Sequence, residues 1–321
     1  MSSSAEAAMQ ENCVCYAVDS NYLFPATLSA LQVRKNTPHA RADVAIVCFD
    51  EPNDNTRLAA TLSEASGIKF ILMPQSELEG VPLAYARLFL DKALPAQYRN
   101  LVYIDGDTQV PNSLEGLFAP GLAHHDFVAA RDAMTLIVND NTRMAKRIKQ
   151  YFRSLNIGED KHERYFNSGV MKLKRSIIGD LRSEIKNLLA RNKNAFTFFD
   201  QDALNIILSG NKNLMSMKWN FPTFLMNYSH FREVPANLLH FCSNPRPWHG
   251  PFAPWGDAYF QVYTEFAKSF PNTNQKTQPL KGLKKVKYIL QTRYKSIVEP
   301  YIWDNVYSRR RRIVQELDTI I

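Results

Sequence analysis

The residues with the plainest chemical content are Asp105 and Asp107, separated by Gly106 and preceded by the apolar run Leu101-Val102-Tyr103-Ile104. The run reads as a strand buried on both faces. In an open α/β sheet, ligands collect outside the carboxyl ends of such strands. Two carboxylates one residue apart can converge there on a hard divalent cation. Their oxygens suit Mg²⁺ or Mn²⁺, ions that keep coordination sites open for phosphate oxygens. An acidic turn closing a strand is the plainer alternative, and the tripeptide alone leaves it standing.

Five further stretches carry usable chemistry. Asp19-Ser20-Asn21-Tyr22 follows an apolar strand with polar side chains suited to a base and ribose, where a glycine-rich phosphate loop would otherwise be sought. Arg87 lies in Ala84-Tyr-Ala-Arg-Leu-Phe-Leu90, a helix start from which a guanidinium fork could meet a diphosphate or pair with a local acid. Tyr165-Phe-Asn-Ser-Gly-Val-Met171 joins amide, hydroxyl and glycine before a strand, a set that can bond sugar hydroxyls at close backbone approach or simply turn the chain. Phe198-Phe-Asp-Gln-Asp-Ala-Leu-Asn205 has N-cap chemistry at Asp200, and Asp202 complements the helix dipole. Capping gives no task to Gln201. His240-Phe-Cys-Ser-Asn-Pro-Arg-Pro-Trp-His249 sets imidazole, cation and indole in one proline-stiffened loop, where His240 could complete a metal shell with Arg246 as counter-charge, or be structural.

The elements that must position these residues alternate along the chain. Strands are predicted over residues 13–18, 44–49, 69–73, 101–104 and 127–130, the last ending at Arg131-Asp132. Helices are predicted over 23–33 and 55–66, so the first seventy residues read βαβαβ with parallel strands. Residues 140–164 are strongly basic and helical in part, with a looser stretch at 156–160. The helical pattern of Leu283, Val286, Leu290, Tyr294 and Ile297 is expected to stop at Pro300.

Composition sets the outer bounds. The 321 residues are 45% hydrophobic and 12% aromatic, which suits a packed globular chain. No run of about 18 apolar residues occurs, and the first residues lack a basic-then-apolar leader, so a cytoplasmic protein is expected. Cys13, Cys15, Cys48 and Cys242 are too few and too irregular for a disulfide framework or zinc site. From Lys281 onward ten basic residues face four acids, a net of +6 out of the chain's +8. This stretch, ending in Arg309-Arg310-Arg311-Arg312 after Trp303 and Tyr307, reads as a basic, aromatic element drawn to an anionic membrane surface. Nucleic acid, or packing on the domain, are the alternatives; no nucleic-acid partner is expected.

Taken in order, Tyr16-Ala-Val-Asp-Ser-Asn-Tyr22, Ala84 to Leu88, Tyr103-Ile-Asp-Gly-Asp107, Tyr165 to Val170, Asp200 to Asn205 and His240 to Trp248 resemble glycosyltransferase family 8. That family includes lipopolysaccharide galactosyl- and glucosyltransferases and the glycogenins. The resemblance covers about residues 13–260, and six motifs in the right order are far more specific than one. It implies an α/β GT-A fold of Rossmann-like nucleotide-binding type with a mixed central sheet, a UDP-sugar donor, Mn²⁺ (or Mg²⁺), a saccharide or lipid-linked glycan acceptor, and retention at the anomeric carbon. The implied organisation is a flexible N-terminus over 1–12, a catalytic domain over 13–270 and a basic helical extension over 271–321. By position, Asp105, Asp107 and His240 match the metal ligands. Ala17, Asp19 and Asn21 match the uridine and ribose contacts. Arg87, Ile104, Gly106, Asp132, Asn167, Ser168, Asp200, Gln201, Ser243 and Arg246 match the rest of the donor site. Gln201, with Asp200 and Asp202 beside it, matches the catalytic position where a nucleophile is sought. The sequence departs from the family's His-x-x-Gly-x-x-Lys-Pro-Trp: Ser243 stands for the glycine and Arg246 for the phosphate-binding lysine.

Two rival functions remain at the level of sequence. Val102 to Thr108 also fits the pattern of haloacid-dehalogenase-like phosphatases, with Asp105 as nucleophile, although a βαβαβ unit precedes it where that family opens with the motif. A sugar-nucleotide-binding protein without turnover is the other. Acceptor recognition is expected in residues 140–164 and toward the C-terminus.

Overall fold

The computed structural model describes residues 10–119, 122, 124–191, 196–210, 213–228, 234–270, 278–304, 312, 315 and 316. Strands β1 (Asn12–Val18), β2 (Asp43–Phe49), β3 (Lys69–Met73) and β4 (Asn100–Ile104) pair in parallel in the order β3-β2-β1-β4. Helices α1 (Leu23–Asn36) and α2 (Asp54–Ala65) make the crossovers. Asn53 caps α2 by accepting from the Thr56 amide, and the Thr56 side chain returns a bond to the Asn53 amide, which fixes where this helix starts. Ahead of β1, the Glu11 carbonyl accepts from the Arg99 and Asn100 amides, and Asn12 opens the strand. Residues 1–9 lie outside the described residues.

The sheet then changes sense. β7 (Phe166–Lys174) runs antiparallel between β4 and β6 (Phe127–Arg131), and β8 (Leu214–Met215) closes the edge parallel to β6. The result is a mixed seven-stranded sheet in the order β3-β2-β1-β4-β7-β6-β8. Reversing β7 is what brings its first residues, Phe166 to Gly169, to the carboxyl end of β4, where Asp105 begins. The Asp105 amide donates to the Gly169 carbonyl at 2.8 Å.

Both faces of the sheet are covered, as the unbroken apolar strands require. One face packs on α1, α2 and α7 (Gly256–Ser269); Phe24 meets Tyr263, Phe266 and Phe270 there. The other packs on the tight turns of residues 83–89, on the single-turn helix α3 (Leu90–Ala93), on α5 (Ile178–Arg191) and on α6 (Phe199–Ile207). Cys13, Cys15 and Cys48 are fully buried free thiols in this packing. Helix α4 (Arg143–Ser154) turns Ala145, Ile148 and Phe152 inward and leaves most of its basic residues in solvent.

A second, three-stranded sheet matters more for the site than its size suggests. β5 (Thr108–Gln109) pairs antiparallel with β10 (Leu239–His240), which pairs parallel with β9 (Phe221–Pro222). Its register sets His240 directly across from Thr108, the residue after Asp107.

The C-terminal extension holds helix α8 (Gly282–Asp304), which runs through Pro300 rather than stopping there. Proline withdraws one amide from the ladder, the donor to the Ser296 carbonyl, and the bonds on either side continue. The Leu280 amide donates to the His249 carbonyl, and the Tyr288 ring meets Phe252, so the extension docks beside the loop that follows β10. Leu283, Val286, Leu290, Tyr294 and Ile297 face away from the domain and are all exposed. Arg312 belongs to the arginine run expected at a membrane surface, yet it turns inward to the Leu136 carbonyl and the Asp140 carboxylate. Arg309 to Arg311 and Tyr307 lie outside the described residues, and so does any account of the Trp303 side chain. Among the described residues, no helix is long and apolar enough to cross a membrane.

Candidate active site

The loop after β4 is clamped from the core outward. Tyr16 and Ser29 share a hydrogen bond, Ser29 shares another with the Thr108 hydroxyl, and Thr108 donates to the Asp105 carbonyl. The Phe241 amide donates to the Asp107 carbonyl. Asp105 and Asp107 are thus held by both sheets before their side chains are considered.

Their carboxylates meet His240 as the sequence predicts. Asp105, Asp107 and His240 each offer one ligand atom, all within 4.8 Å of one another. His240 Nε2 lies 3.3 Å from Asp107 Oδ1 and 3.8 Å from Asp105 Oδ2. Ligands at right angles on a cation with bonds of about 2.1 Å stand about 3 Å apart, close to the 3.3 Å between His240 Nε2 and Asp107 Oδ1. The outer oxygens are already engaged. Asp105 Oδ1 accepts from the Tyr103 hydroxyl at 2.5 Å and from Arg87 Nη2 at 2.9 Å, while Asp107 Oδ2 pairs with Arg246 Nη1 at 2.9 Å. Burial works to raise the Asp107 carboxyl, but its charged surroundings, the Arg246 guanidinium first among them, hold it well below the usual range. Two carboxylates that turn Asp105 Oδ2 and Asp107 Oδ1 toward one imidazole nitrogen fit a cation site.

Gly169 makes room for the imidazole. A Cβ there would stand 2.2 Å from His240 Cε1 and 2.6 Å from Nδ1, so the glycine that follows Asn167-Ser168 is required by packing.

Arg87 is buried, and it bridges acids instead of pairing at the surface. Nη1 lies 2.6 Å from the Ser168 carbonyl and 3.2 Å from Asp200 Oδ2, and the guanidinium stacks 4.3 Å above the Tyr103 ring. Asp200 also accepts from the Ser168 hydroxyl at 3.0 Å. Burial lifts the Asp200 carboxyl to about 6 despite Arg87.

The motif at α6 divides its labour differently from a simple cap. Asp200 faces Arg87 and Ser168, and Phe198 occupies the N-cap position without a side-chain bond. The backward bond comes from Asp202, which accepts from the Phe198 amide at 2.8 Å. Asp202 is fully buried and also accepts from the Tyr151 and Tyr165 hydroxyls at 2.6 and 2.5 Å. With three donors and no exposure it orders the start of α6, away from the open face where a nucleophile would stand. Gln201 Oε1 accepts from Asn167 Nδ2 at 3.0 Å and the Ser168 amide at 3.3 Å, and Gln201 Nε2 donates to Asp132 Oδ2 at 3.1 Å. Asp132 also accepts from the Met134 amide; burial raises its carboxyl although these donors pull the other way.

At the end of β1, Asp19 accepts from the Tyr22 amide and from Asn21 Nδ2, which folds the loop beside half-buried Ala17. Ser20 is tied to Asp50. Gly106 packs against Ala26, Tyr22 and Val18, which joins this loop to the paired aspartates. Ile104 is buried at the end of β4, and the Ser243 carbonyl accepts from Arg246 Nη1 at 3.4 Å. The candidate residues therefore share one end of the sheet, with Asp202 facing inward. The sequence reading missed Tyr103, Tyr165 and Asn220, the last bonded to His240 Nδ1. Tyr103 carried a signal, a hydroxyl in an otherwise apolar strand, whereas Asn220 in Trp219-Asn220-Phe221 carried none.

Comparison with known proteins bears on the family and the fold. The model of glycosyl transferase family 8 matches residues 13–251. The chain is 25% identical over 258 residues to lipopolysaccharide 1,2-glucosyltransferase of Escherichia coli K12, covering 74% of this chain and 72% of that protein. It is 26% identical over 210 residues to general stress protein A of Bacillus subtilis 168, covering 58% and 65% respectively. Its fold is similar to that of the galactosyltransferase LgtC, solved with donor and acceptor sugar analogues, at a TM-score of 0.60 and 19% identity over 82% of this chain and 98% of that one. It is also similar to the bifunctional glycosyltransferase WbbM, at a TM-score of 0.62 and 17% identity over 84% and 51%.

Proposed function

The chain belongs to glycosyltransferase family 8 and has the GT-A fold, and from that premise we propose that it moves a hexose, galactose or glucose, from a UDP-sugar to a saccharide acceptor with retention at the anomeric carbon. The observation that carries the reading is the meeting of Asp105, Asp107 and His240 beside the Arg87, Asp132, Asn167, Asp200 and Gln201 cluster. The similarity to a lipopolysaccharide glucosyltransferase favours an acceptor in lipopolysaccharide or another surface glycan. Family membership leaves the phosphatase reading of Asp105 without support.

Asp105, Asp107 and His240 would hold Mn²⁺, with Mg²⁺ as substitute; when bound, the cation would act as a Lewis acid toward the negative charge that grows on the departing diphosphate. Arg246, fixed by Asp107, would lend its guanidinium to the same phosphates, in the manner of the lysine it replaces. Ala17, Asp19 and Asn21 would bind uridine and ribose. Arg87, Ser168, Asp200, Asp132 and Asn167 would bind the hexose hydroxyls, in a pocket whose polar atoms are preset by mutual hydrogen bonds. Gln201 carries a neutral amide and is a poor nucleophile. Asp202 is walled in. Attack by the acceptor on the face that UDP leaves, with the leaving phosphate taking the acceptor's proton, accounts for retention without a covalent sugar-enzyme bond.

The division into a catalytic domain over 13–270 and a basic extension over 271–321 is part of the same proposal. Five exposed apolar side chains on α8 forgo about 1.5–3 kcal/mol each relative to burial, and lysines surround them. A bilayer with anionic headgroups satisfies both features and would bring a lipid-linked acceptor to the site.

The test is UDP release from a panel of UDP-sugars with Mn²⁺, with and without lipopolysaccharide acceptor. Turnover of one UDP-hexose that needs the cation supports the assignment and names the donor. Failure with every donor, or a sugar trapped covalently on Gln201 or Asp202, would overturn it or its mechanism.

A further inference from the structure

The imidazole that faces the paired aspartates is itself held by a residue to which no role has been given. Asn220 stands just ahead of β9, and pairing of β9 with β10 sets Pro222 across from His240. Its side chain is buried between two others: Oδ1 is 2.9 Å from His240 Nδ1, and Nδ2 is 2.8 Å from Asn167 Oδ1.

The sense of each bond follows from one fixed donor. The Gly169 amide can only donate, and it meets Asn167 at 3.0 Å, so the atom it meets is the Asn167 oxygen. That oxygen can only accept, so the Asn220 atom facing it is nitrogen. The remaining Asn220 atom is oxygen, which can only accept from His240 Nδ1. The proton of neutral His240 therefore sits on Nδ1, and the lone pair of Nε2 points at Asp105 and Asp107. Beyond Asn167 the polarity continues in the same direction. Asn167 Nδ2 donates to Gln201 Oε1 and Asp132 Oδ2, and Gln201 Nε2 donates to Asp132 Oδ2. From the imidazole to the Asp132 carboxylate, the bonds through Asn220 and Asn167 thus all run donor to acceptor in one direction.

We propose that Asn220 is a positioning residue: it fixes the His240 tautomer that can bind a divalent cation through Nε2, and it passes the same constraint to the Asn167 and Gln201 amides. Cation binding and donor-sugar orientation are then set by one side chain. The inference rests on the cation-dependent reading given above. A residue that holds a ligating imidazole through its second nitrogen typically governs metal affinity by about 10–100-fold.

The experiment titrates Mn²⁺ into the full chain without donor and reads the His240 tautomer from its ring ¹⁵N shifts at a pH where the ring is neutral. The native chain should show the Nδ1–H form, and an Nε2–H form overturns the proposal without any variant. Asn220→Ala should weaken Mn²⁺ binding about 10–100-fold and mix the tautomers. Asn220→Asp keeps the acceptor for His240 but cannot donate to Asn167, so it should raise KM for the UDP-sugar by more than it weakens Mn²⁺. His240→Ala separates the two readings. If it weakens Mn²⁺ while a folded Asn220→Ala changes neither affinity nor tautomer, the cation site stands and the role of Asn220 falls. If His240→Ala leaves Mn²⁺ binding intact, the cation site is wrong and the proposal falls with it. Should Asn220→Ala not fold, Asn220→Ser is read by the same outcomes.

Discussion

The site at the end of β4 and the outer face of α8 are built on opposite principles. At the site, nearly every polar atom has a named partner: Arg87 bridges Asp105 and Asp200, Arg246 holds Asp107, and the Asn167 and Gln201 amides hold each other. On α8 the five apolar side chains from Leu283 to Ile297 are exposed, and the lysines among them are spread by helical spacing alone. A fixed transition state demands positions good to a fraction of an ångström, which only mutual constraint supplies. The membrane surface proposed for α8 asks for an apolar stripe and positive charge, and tolerates the loss of any single contact. Substitutions at the site should therefore be felt one atom at a time, whereas α8 should respond only to a change in its overall character.

The largest effect is expected for Asp107→Asn, which removes charge from the proposed cation site and from the partner of Arg246. Turnover measured as UDP release should fall about 10³-fold or more. A loss under tenfold would mean that Asp107 is no nearer the chemistry than α8 is.

Gly169→Ala tests constraint by volume with charge untouched. The added methyl would occupy the place of the His240 ring. Displacing that ring by about 1 Å should cost about 10²-fold in turnover, and overpacking about 1–3 kcal/mol in urea unfolding. Gly179→Ala on α5, whose added atom would meet nothing nearer than 3.8 Å, is the control and should leave turnover unchanged.

A pH series reads the electrostatic cost of the same packing. Burial raises the Asp200 carboxyl from its ordinary 3.8 to about 6, so the folded chain holds this proton more tightly than the unfolded chain does. Its contribution to stability is full below about pH 4 and is lost as pH rises through about 6. The tighter hold on the proton is worth about 3 kcal/mol at full strength. Unfolding free energies of the wild type and Asp200→Asn should diverge across that window, with the wild type losing ground as pH rises; parallel curves would show that burial does not govern this acid.

The smallest effect on chemistry is expected from Leu290→Asp combined with Ile297→Asp. Sedimentation with anionic vesicles should weaken several-fold, while turnover on a soluble saccharide acceptor stays unchanged. Lost turnover with intact vesicle binding would reverse the contrast between the two regions.

The parts of the site that could be read in advance are those where a local pattern carries the chemistry. Asp105 and Asp107 follow directly on an apolar strand, and the six motifs stand in order along the chain. The parts that could not be read are relations between distant segments. Asp200 reads locally as an N-cap, yet Arg87 and Ser168, far away in sequence, claim its carboxylate, and Asp202 makes the backward bond instead. Pro300 reads locally as a stop, but one missing amide does not end a helix.

The sequence by itself determined the alternation of strands and helices through β4, the acidic pair at the end of that strand, and the apolar and basic character of α8, because periodicity and side-chain chemistry are local properties. Only the tertiary structure decided that β7 runs antiparallel and delivers Gly169 to Asp105, that the three-stranded sheet carries His240 to Asp107, and that Asn220 stands behind it. Those meetings depend on strand order and register. Both are fixed by burial summed over the whole sheet, and no stretch of chain encodes them alone.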